Sequence, residues 1–189
     1  MDNEVIEYMH DYANRLGFGV SYDKSKECIS YLITNGNCTH KGHRNTYNPV
    51  LKYLKDYDLL TNKHIPLEYM CNSRQVRLEV LAGLIDSDGH RSLRDGKEDV
   101  LEITFSNRKL ASDVLQLIRS LGFRASIKTS RTNMGTYRQR INAYGDFSVV
   151  PTKVARKQYE KCPLRENPLT FGFDLIDKGI GEYYGKLIS

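Results

Sequence analysis

The sequence has no apolar run of the ~20 residues that a membrane-spanning helix requires. Its longest runs, such as Val80-Leu81-Ala82-Gly83-Leu84-Ile85, are far shorter. The N-terminus is acidic, unlike the start of a secretory leader. The chain therefore reads as soluble and intracellular, cytoplasmic or nuclear, neither secreted nor membrane-bound. Cysteine is sparse: Cys28, Cys38, Cys71 and Cys162 lack the dense spacing of a disulfide scaffold, and reduced thiols are expected. Cys38, His40 and His43 crowd one stretch, yet no CxxC pair completes a tetrahedral zinc set, and a polar loop is the reading. No charge dominates: 28 Lys and Arg against 23 Asp and Glu leave +5 and a pI near 8.9, a modest excess compatible with a polyanionic partner. At 189 residues the chain can bury one substantial core or two small related ones.

What is present is periodicity. Residues 2–16 read as a helix, with Asp2 as cap, Val5, Ile6, Met9, Tyr12, Ala13 and Leu16 on one face, and Gly17 as the stop. Residues 106–121 repeat the design, with Ser106 as the expected cap, Leu110, Val114, Leu117, Ile118 and Leu121 as the stripe, and Gly122 as the stop. Leu16-Gly17-Phe18 matches Leu121-Gly122-Phe123 at an offset of 105 residues, and Val5, Met9, Tyr12 and Ala13 then land on Leu110, Val114, Leu117 and Ile118. Strand-like segments follow each helix, at 19–22 and 28–34 in the first copy and at 125–129 and 137–144 in the second, with turns at 23–26 and 132–135. The second copy has more upstream: a helix over 77–88 and a strand over 101–106. If the repeat continues, the equivalent first helix lies roughly two dozen residues before Met1, so the chain reads as truncated there. Residues 48–60 are an expected helix with Pro49 in its first turn, and Asn62-Lys63-His64-Ile65-Pro66 is a connector that its proline keeps irregular.

The chemistry concentrates at the end of the 77–88 helix. It is apolar at Leu78, Leu81, Ala82, Leu84 and Ile85, and the small Ala82 and Gly83 beside Leu81 form an expected seam for a second helix. Gly89 is expected in the left-handed conformation that ends many helices, which sets the Asp88 carboxylate at the terminus. There an acid can hold magnesium, which takes oxygen ligands, commonly only one or two of them carboxylates, and leaves positions for water and phosphate. One Asp per helix is adequate if two such helices meet. Two residues along a helix turn roughly 200°, so Asp86 is assigned a structural or capping role rather than the same metal. Asp-x-Asp-Gly alone describes an ordinary turn or helix end equally well.

The whole string Leu81-Ala82-Gly83-Leu84-Ile85-Asp86-Ser87-Asp88-Gly89 resembles the signature of the LAGLIDADG, or dodecapeptide, homing endonucleases, differing only at Ser87, where the name has alanine. Asn62-Lys63-His64-Ile65-Pro66 before it and Val150-Pro151-Thr152-Lys153 after it look like the segments flanking the second motif of intein endonucleases. Phe171-Gly172-Phe173-Asp174 and Gly179-Ile180-Gly181-Glu182-Tyr183-Tyr184-Gly185 resemble the strand by which an intein returns to its splicing domain, a pattern that Lys186 onward leaves. The resemblance covers most of the chain. It implies an α/β (α+β) fold, pseudo-duplicated, in which two motif helices pack at the centre of a saddle of antiparallel sheets lying in the DNA major groove. It also implies an intein-type homing endonuclease that hydrolyses both strands of double-stranded DNA, with Mg²⁺ (or Mn²⁺) held by Asp88 and Gly89 at a scissile phosphate. A basic residue usually assists, and Lys128, Arg138 and Arg140 are the candidates. The units that follow are 1–60, the remainder of a first endonuclease half without its motif helix; 61–76, a connector; 77–167, the second half; and 168–189, a partial return strand. The terminal His-Asn pair and the Cys or Ser nucleophile of a splice junction are not recognisable, so self-splicing is not expected.

Alternation over residues 137–144 puts Arg138, Arg140 and Asn142 on one face, away from Tyr137, Gln139 and Ile141, and Arg and Asn suit base-edge readout. Lys153, Arg156 and Lys157 recur at helical spacing and suit phosphate contacts, although a plain exposed helix face explains them equally well. One acid alone supports at best a nick. Homodimerisation through Leu81, Ala82 and Gly83, or a separate first-half partner, would restore the second. Two other readings stay open: a non-catalytic DNA- or RNA-binding module of the same fold, maturase-like or degenerate, and an intein part that supports splicing without nuclease activity.

Overall fold

The computed structural model describes residues 2–24, 29–34, 49–92, 100–132, 135–161, 173–177, 179 and 181. The elements run α1 (Asn3–Arg15), β1 (Gly19–Asp23), β2 (Ser30–Thr34), α2 (Pro49–Asp56), α3 (Leu67–Met70), α4 (Arg74–Asp88), β3 (Gly89–Ser92), β4 (Val100–Phe105), α5 (Arg108–Ser120), β5 (Arg124–Arg131) and β6 (Tyr137–Tyr144), then single 3₁₀ turns at Phe147–Val149 and Ala155–Lys157. Both sheets are antiparallel. One pairs β1 with β2; the other has four strands in the order β3-β4-β6-β5. Helices and antiparallel sheets together make the expected α+β fold. Among the described residues no helix is long and apolar enough to cross a membrane.

The repeat inferred from the sequence reappears as matched geometry. Phe18 N–H donates to Ala13 O at 2.8 Å and Gly17 N–H to Asn14 O at 3.0 Å; Phe123 N–H donates to Ile118 O at 3.3 Å and Gly122 N–H to Arg119 O at 3.0 Å. These are the two bonds of the Schellman helix end, with the glycine left-handed at φ 71° and 91° respectively. In both copies a two-strand hairpin follows.

The caps differ in detail from the sequence reading. α5 begins one residue later than Ser106 allows, because Asn107 Oδ1 accepts the Leu110 N–H at 3.0 Å. α4 begins at Arg74, ahead of the expected start, because Ser73 Oγ accepts the Val76 N–H at 3.3 Å. α2 ends at Asp56, short of residue 60, and the left-handed Asp58 at φ 53° breaks the pattern. Pro66, expected only to interrupt structure, stands before the short α3.

The core lies between one face of the four-stranded sheet and the pair α4 and α5. Leu78, Leu81, Ala82 and Ile85 meet Val114, Leu117 and Ile118 over Leu101, Ile103, Ile141 and Ala143. Phe147 closes one end against Phe123 and Tyr159, at ring separations of 4.5 and 5.2 Å. Burying a side chain of this kind contributes ~1.5–3 kcal/mol, and among the described residues nearly all such side chains lie between Leu78 and Tyr159. By contrast α1 buries only Ala13, and Tyr8, Tyr12 and Leu16 remain exposed.

Cys28, Cys38, His40, His43 and Cys162 lie outside the described residues, as do Phe171, Gly172 and 182–189. Cys71 is an exposed free thiol. Of the expected return strand, residues 173–177 are described and form no strand.

Candidate functional site

Asp88 is the last residue of α4, and Gly89 is the first of the edge strand β3. Sequence reasoning expects a left-handed Gly89, but its φ is −73° and its ψ 145°, ordinary extended backbone. Glycine is needed here for a different reason. A Cβ on Gly89 would stand 2.7 Å from Ile85 Cα and 2.8 Å from Ile85 O, so the strand leaves the helix along a path only glycine can follow. The Asp88 carboxylate is consequently exposed where helix becomes sheet, with Ser87 Oγ 3.4 Å from its Oδ2.

Asp86 has the structural role assigned to it. Its carboxylate is buried and accepts the backbone N–H of Lys153 at 2.9 Å and of Val154 at 3.1 Å. Lys157 answers from the same segment. Its ammonium donates to Ile85 O, Asp86 O and Ser87 O at 2.9, 2.7 and 3.2 Å, which satisfies carbonyls that every helix end leaves without partners. Only 4% of Lys157 is exposed. Burial pushes its pKa below the usual lysine value, an effect that neighbouring Arg156 reinforces and Asp2, Asp86 and Asp88 oppose. The last turn of α4 is thus held from both sides by residues 153–157.

This placement departs from the expectation that Lys153, Arg156 and Lys157 line one exposed helix face. Lys153 lies in irregular backbone, and only Ala155–Lys157 make a turn. Lys157 points inward onto α4. Arg156 makes a two-pronged ion pair with Asp2, Nε to Oδ1 at 3.0 Å and Nη2 to Oδ2 at 2.8 Å. That bond holds the Asp2 carboxyl below its ordinary pKa and raises that of Arg156. Lys153 Nζ sits 4.7 Å from the centre of the Tyr8 ring. With Glu4 accepting the Ala155 N–H at 3.2 Å, these contacts dock α1 on the segment that braces Asp88.

The sheet face opposite the helices is polar. Gln139, Ile141 and Ala143 of β6 point into the core, while Arg138 and Arg140 are exposed and Asn142 is half-buried on the other side, as alternation predicts. The register sets exposed Lys128 opposite Arg140, Ser130 opposite Arg138, and Ser126 opposite Asn142. On the other flank of β6, Thr104 pairs with Arg140 and Glu102 with Asn142, and His90 lies opposite Glu102. Sequence reasoning missed Glu102, Thr104 and His90 on this face. For Glu102 and Thr104 the polar positions in an otherwise apolar β4 were the available signal.

The seam is also arranged differently from expectation. Leu81 and Ala82 are spent on the chain's own core, at 0% and 5% exposure. Beside them Val80 and Leu84 are half-buried against the edge of the core, Gly83 and Ser87 are exposed, and a Cβ on Gly83 would meet nothing within 4 Å. Val80, Gly83 and Leu84 form one wall of a groove of about 630 Å³, whose other walls include Tyr12, Tyr53, Tyr57 and Tyr69.

Among the described residues no group of three His, Cys, Asp or Glu could hold a metal ion. Magnesium commonly takes only one or two protein carboxylates, and Asp88 is an exposed carboxylate with that chemistry.

Fold and site together define an α+β protein with a basic, strand-built face and an exposed carboxylate at its edge. The homing endonuclease family model matches residues 64–170, more than half the chain, and the chain belongs to that family. It is 42% identical over 78 residues to the replicative DNA helicase DnaB of Mycobacterium intracellulare, covering 41% of this chain and 13% of that protein. It is 26% identical over 206 residues to the catalytic component of the V-type proton ATPase of Candida tropicalis, covering 98% of this chain and 19% of that protein. The chain thus spans less than a fifth of the length of these relatives.

Proposed function

We propose that this chain is an intein-borne LAGLIDADG homing endonuclease segment that cuts double-stranded DNA. The observation that carries this reading is Asp88, an exposed carboxylate at the end of a helix whose inner face is buried in the core, braced from behind and set one residue before the edge strand of a basic sheet. Asp88 and the Gly89 carbonyl would hold Mg²⁺ or Mn²⁺, which when bound supplies a Lewis-acidic centre at the scissile phosphate. The chain's own part is to aim Asp88 through Asp86 and Lys157 and to seat the duplex. Arg138, Arg140 and Asn142 face the major groove as a reading strand, and Lys128 lies beside Arg140, where one cation assists at the phosphate. Lys153 and Arg156 are exposed beside the site, already engaged with Tyr8 and Asp2, and contribute positive field.

The intein context rests on distribution. Stretches of this chain recur inside proteins named for a helicase and a proton pump, while its family is that of endonucleases. A segment shared by such unlike proteins, and under a fifth of each, is distributed as an inserted element would be. A second acid must come from another motif helix lying along the Val80–Gly83–Leu84 groove, supplied by a first endonuclease half or by a second copy.

The test is Mg²⁺-dependent cleavage of a plasmid library by this chain and by Asp88→Asn, scoring nicks and double-strand breaks separately. Cutting that disappears in the variant supports the reading, and double-strand breaks imply a dimer. Intact DNA despite measurable duplex binding favours a non-catalytic binding module.

A further inference from the structure

α1 is an acidic helix set against cations. Residues 2–15 hold four carboxylates, Asp2, Glu4, Glu7 and Asp11, and one guanidinium, Arg15. The start of the helix lies on residues 153–156, where Asp2 holds Arg156 with both oxygens, Glu4 accepts the Ala155 N–H, and the Lys153 ammonium sits over the Tyr8 ring. That segment borders the site. Its Lys153 and Val154 N–H groups bind Asp86, two residues before Asp88, and just beyond it Gln158 O accepts a hydrogen bond at 2.9 Å from Arg91 of β3, the edge strand of the polar sheet. The contacts on its two sides differ in kind. Asp86 and Lys157 are buried and fix the segment to α4. The Arg156 side chain, by contrast, stays 64% exposed in its ion pair, and exposed pairs contribute little because water and salt screen them. A guanidinium meets a carboxylate and a phosphate with the same two-pronged geometry. A phosphate can therefore replace Asp2 on Arg156 without disturbing the brace behind Asp88.

Resting on the DNA-binding reading above, we infer that α1 is an autoinhibitory stand-in for the DNA backbone: the Asp2 carboxylate occupies Arg156 in the free chain, and a phosphate of the duplex takes its place when DNA binds. Docked, the helix cancels one cation beside the site and adds negative charge there, which opposes the approach of a polyanion. The exchange has a signature in salt dependence. Each phosphate neutralised by a free cation releases counterions from the duplex and steepens the fall of log K with log salt by about 0.9. When Arg156 leaves Asp2, the uncovered carboxylate takes up a counterion and offsets part of that release. The native chain should therefore bind DNA more weakly, and with a shallower salt slope, than a chain whose Arg156 starts out unpaired.

The test is binding of the full chain to a mixed-sequence duplex over a salt series, in EDTA so that no strand is cut, by the wild type, Asp2→Asn, Arg156→Gln and the double variant. Asp2→Asn should bind about threefold more tightly, or better, at low salt and with a steeper salt slope. In the Arg156→Gln background the same change should bring no such gain, because no guanidinium is released. Should circular dichroism show that Asp2→Asn loosens α1, the Arg156 Nε–H resonance of the wild type decides. Saturating duplex should move it, and a resonance that stays in place overturns the exchange. Wild-type affinity and slope in a folded Asp2→Asn, or an equal gain with Arg156→Gln present, would overturn the inference and leave DNA binding standing. Absence of duplex binding by both the wild type and Asp2→Asn would overturn both.

Discussion

Gly89 and Lys157 both serve the end of α4, the first by leaving space beside Ile85 and the second by binding the last carbonyls of the helix. A glycine after an acid at the end of an apolar helix looks like a left-handed cap, and local composition cannot distinguish that need from the need for empty space. What excludes a side chain is the Ile85 backbone, less than 3 Å from any Cβ. Lys157 appears on paper as one of several cations at helical spacing, yet its ammonium is bound to carbonyls some 70 residues earlier in the chain. No pattern of nearby residues carries that information. Both features converge on Asp88, and Gly89→Ala exposes the dependence. The added methyl must displace backbone rather than a flexible side-chain end, so unfolding free energy should fall by ~1–3 kcal/mol, with any DNA cleavage falling more steeply than the melting temperature predicts. Denaturant titration alongside plasmid nicking checks it, and an alanine variant of wild-type stability and activity would remove the close-approach explanation.

Elements whose evidence is local were legible. The matched Leu-Gly-Phe stops of α1 and α5 announce identical helix ends because the Schellman geometry is written in three adjacent residues. The two faces of β6 follow from alternation alone. How one element lies on another was not legible, and α1 illustrates why. It docks on residues 153–156 through Asp2, Glu4 and Tyr8, contacts spanning some 150 residues of sequence. Asp2 itself, expected only to cap α1, makes no side-chain cap bond and instead binds Arg156. This docking should be acid-sensitive. The Asp2 carboxyl is held below its ordinary value of 3.8, so its contribution is fully present above that value and is lost as the pH falls through the lowered folded value. The Arg156 Nε–H resonance should therefore shift as the pH drops below about 3.8, and Asp2→Asn should abolish that step. A resonance indifferent to pH in this range would mean that the ion pair does not form in solution.

For the molecule as a whole, the proposed mechanism requires a second helix to bring a second acid, and α4 separates folding from assembly clearly enough to test where that helix would lie. The sequence presents Leu81, Ala82 and Gly83 as one seam, but successive residues of a helix point about 100° apart, so three in a row cannot all face a partner. The chain's core takes Leu81 and Ala82. Gly83 is left outside, in the middle of a helix, where glycine is destabilising by roughly 0.5–1 kcal/mol relative to alanine. Because a Cβ there meets nothing within 4 Å, nothing among the described residues requires glycine at that position. Close approach of another helix would require it. Gly83→Leu should therefore leave the isolated chain at least as stable in thermal unfolding, since helix propensity improves without a clash. The same change should suppress double-strand breaks while sparing duplex binding, because the groove that admits a second motif helix is blocked. Unchanged double-strand cleavage by a stable Gly83→Leu variant would show that the two acids, if there are two, do not meet across this face of α4.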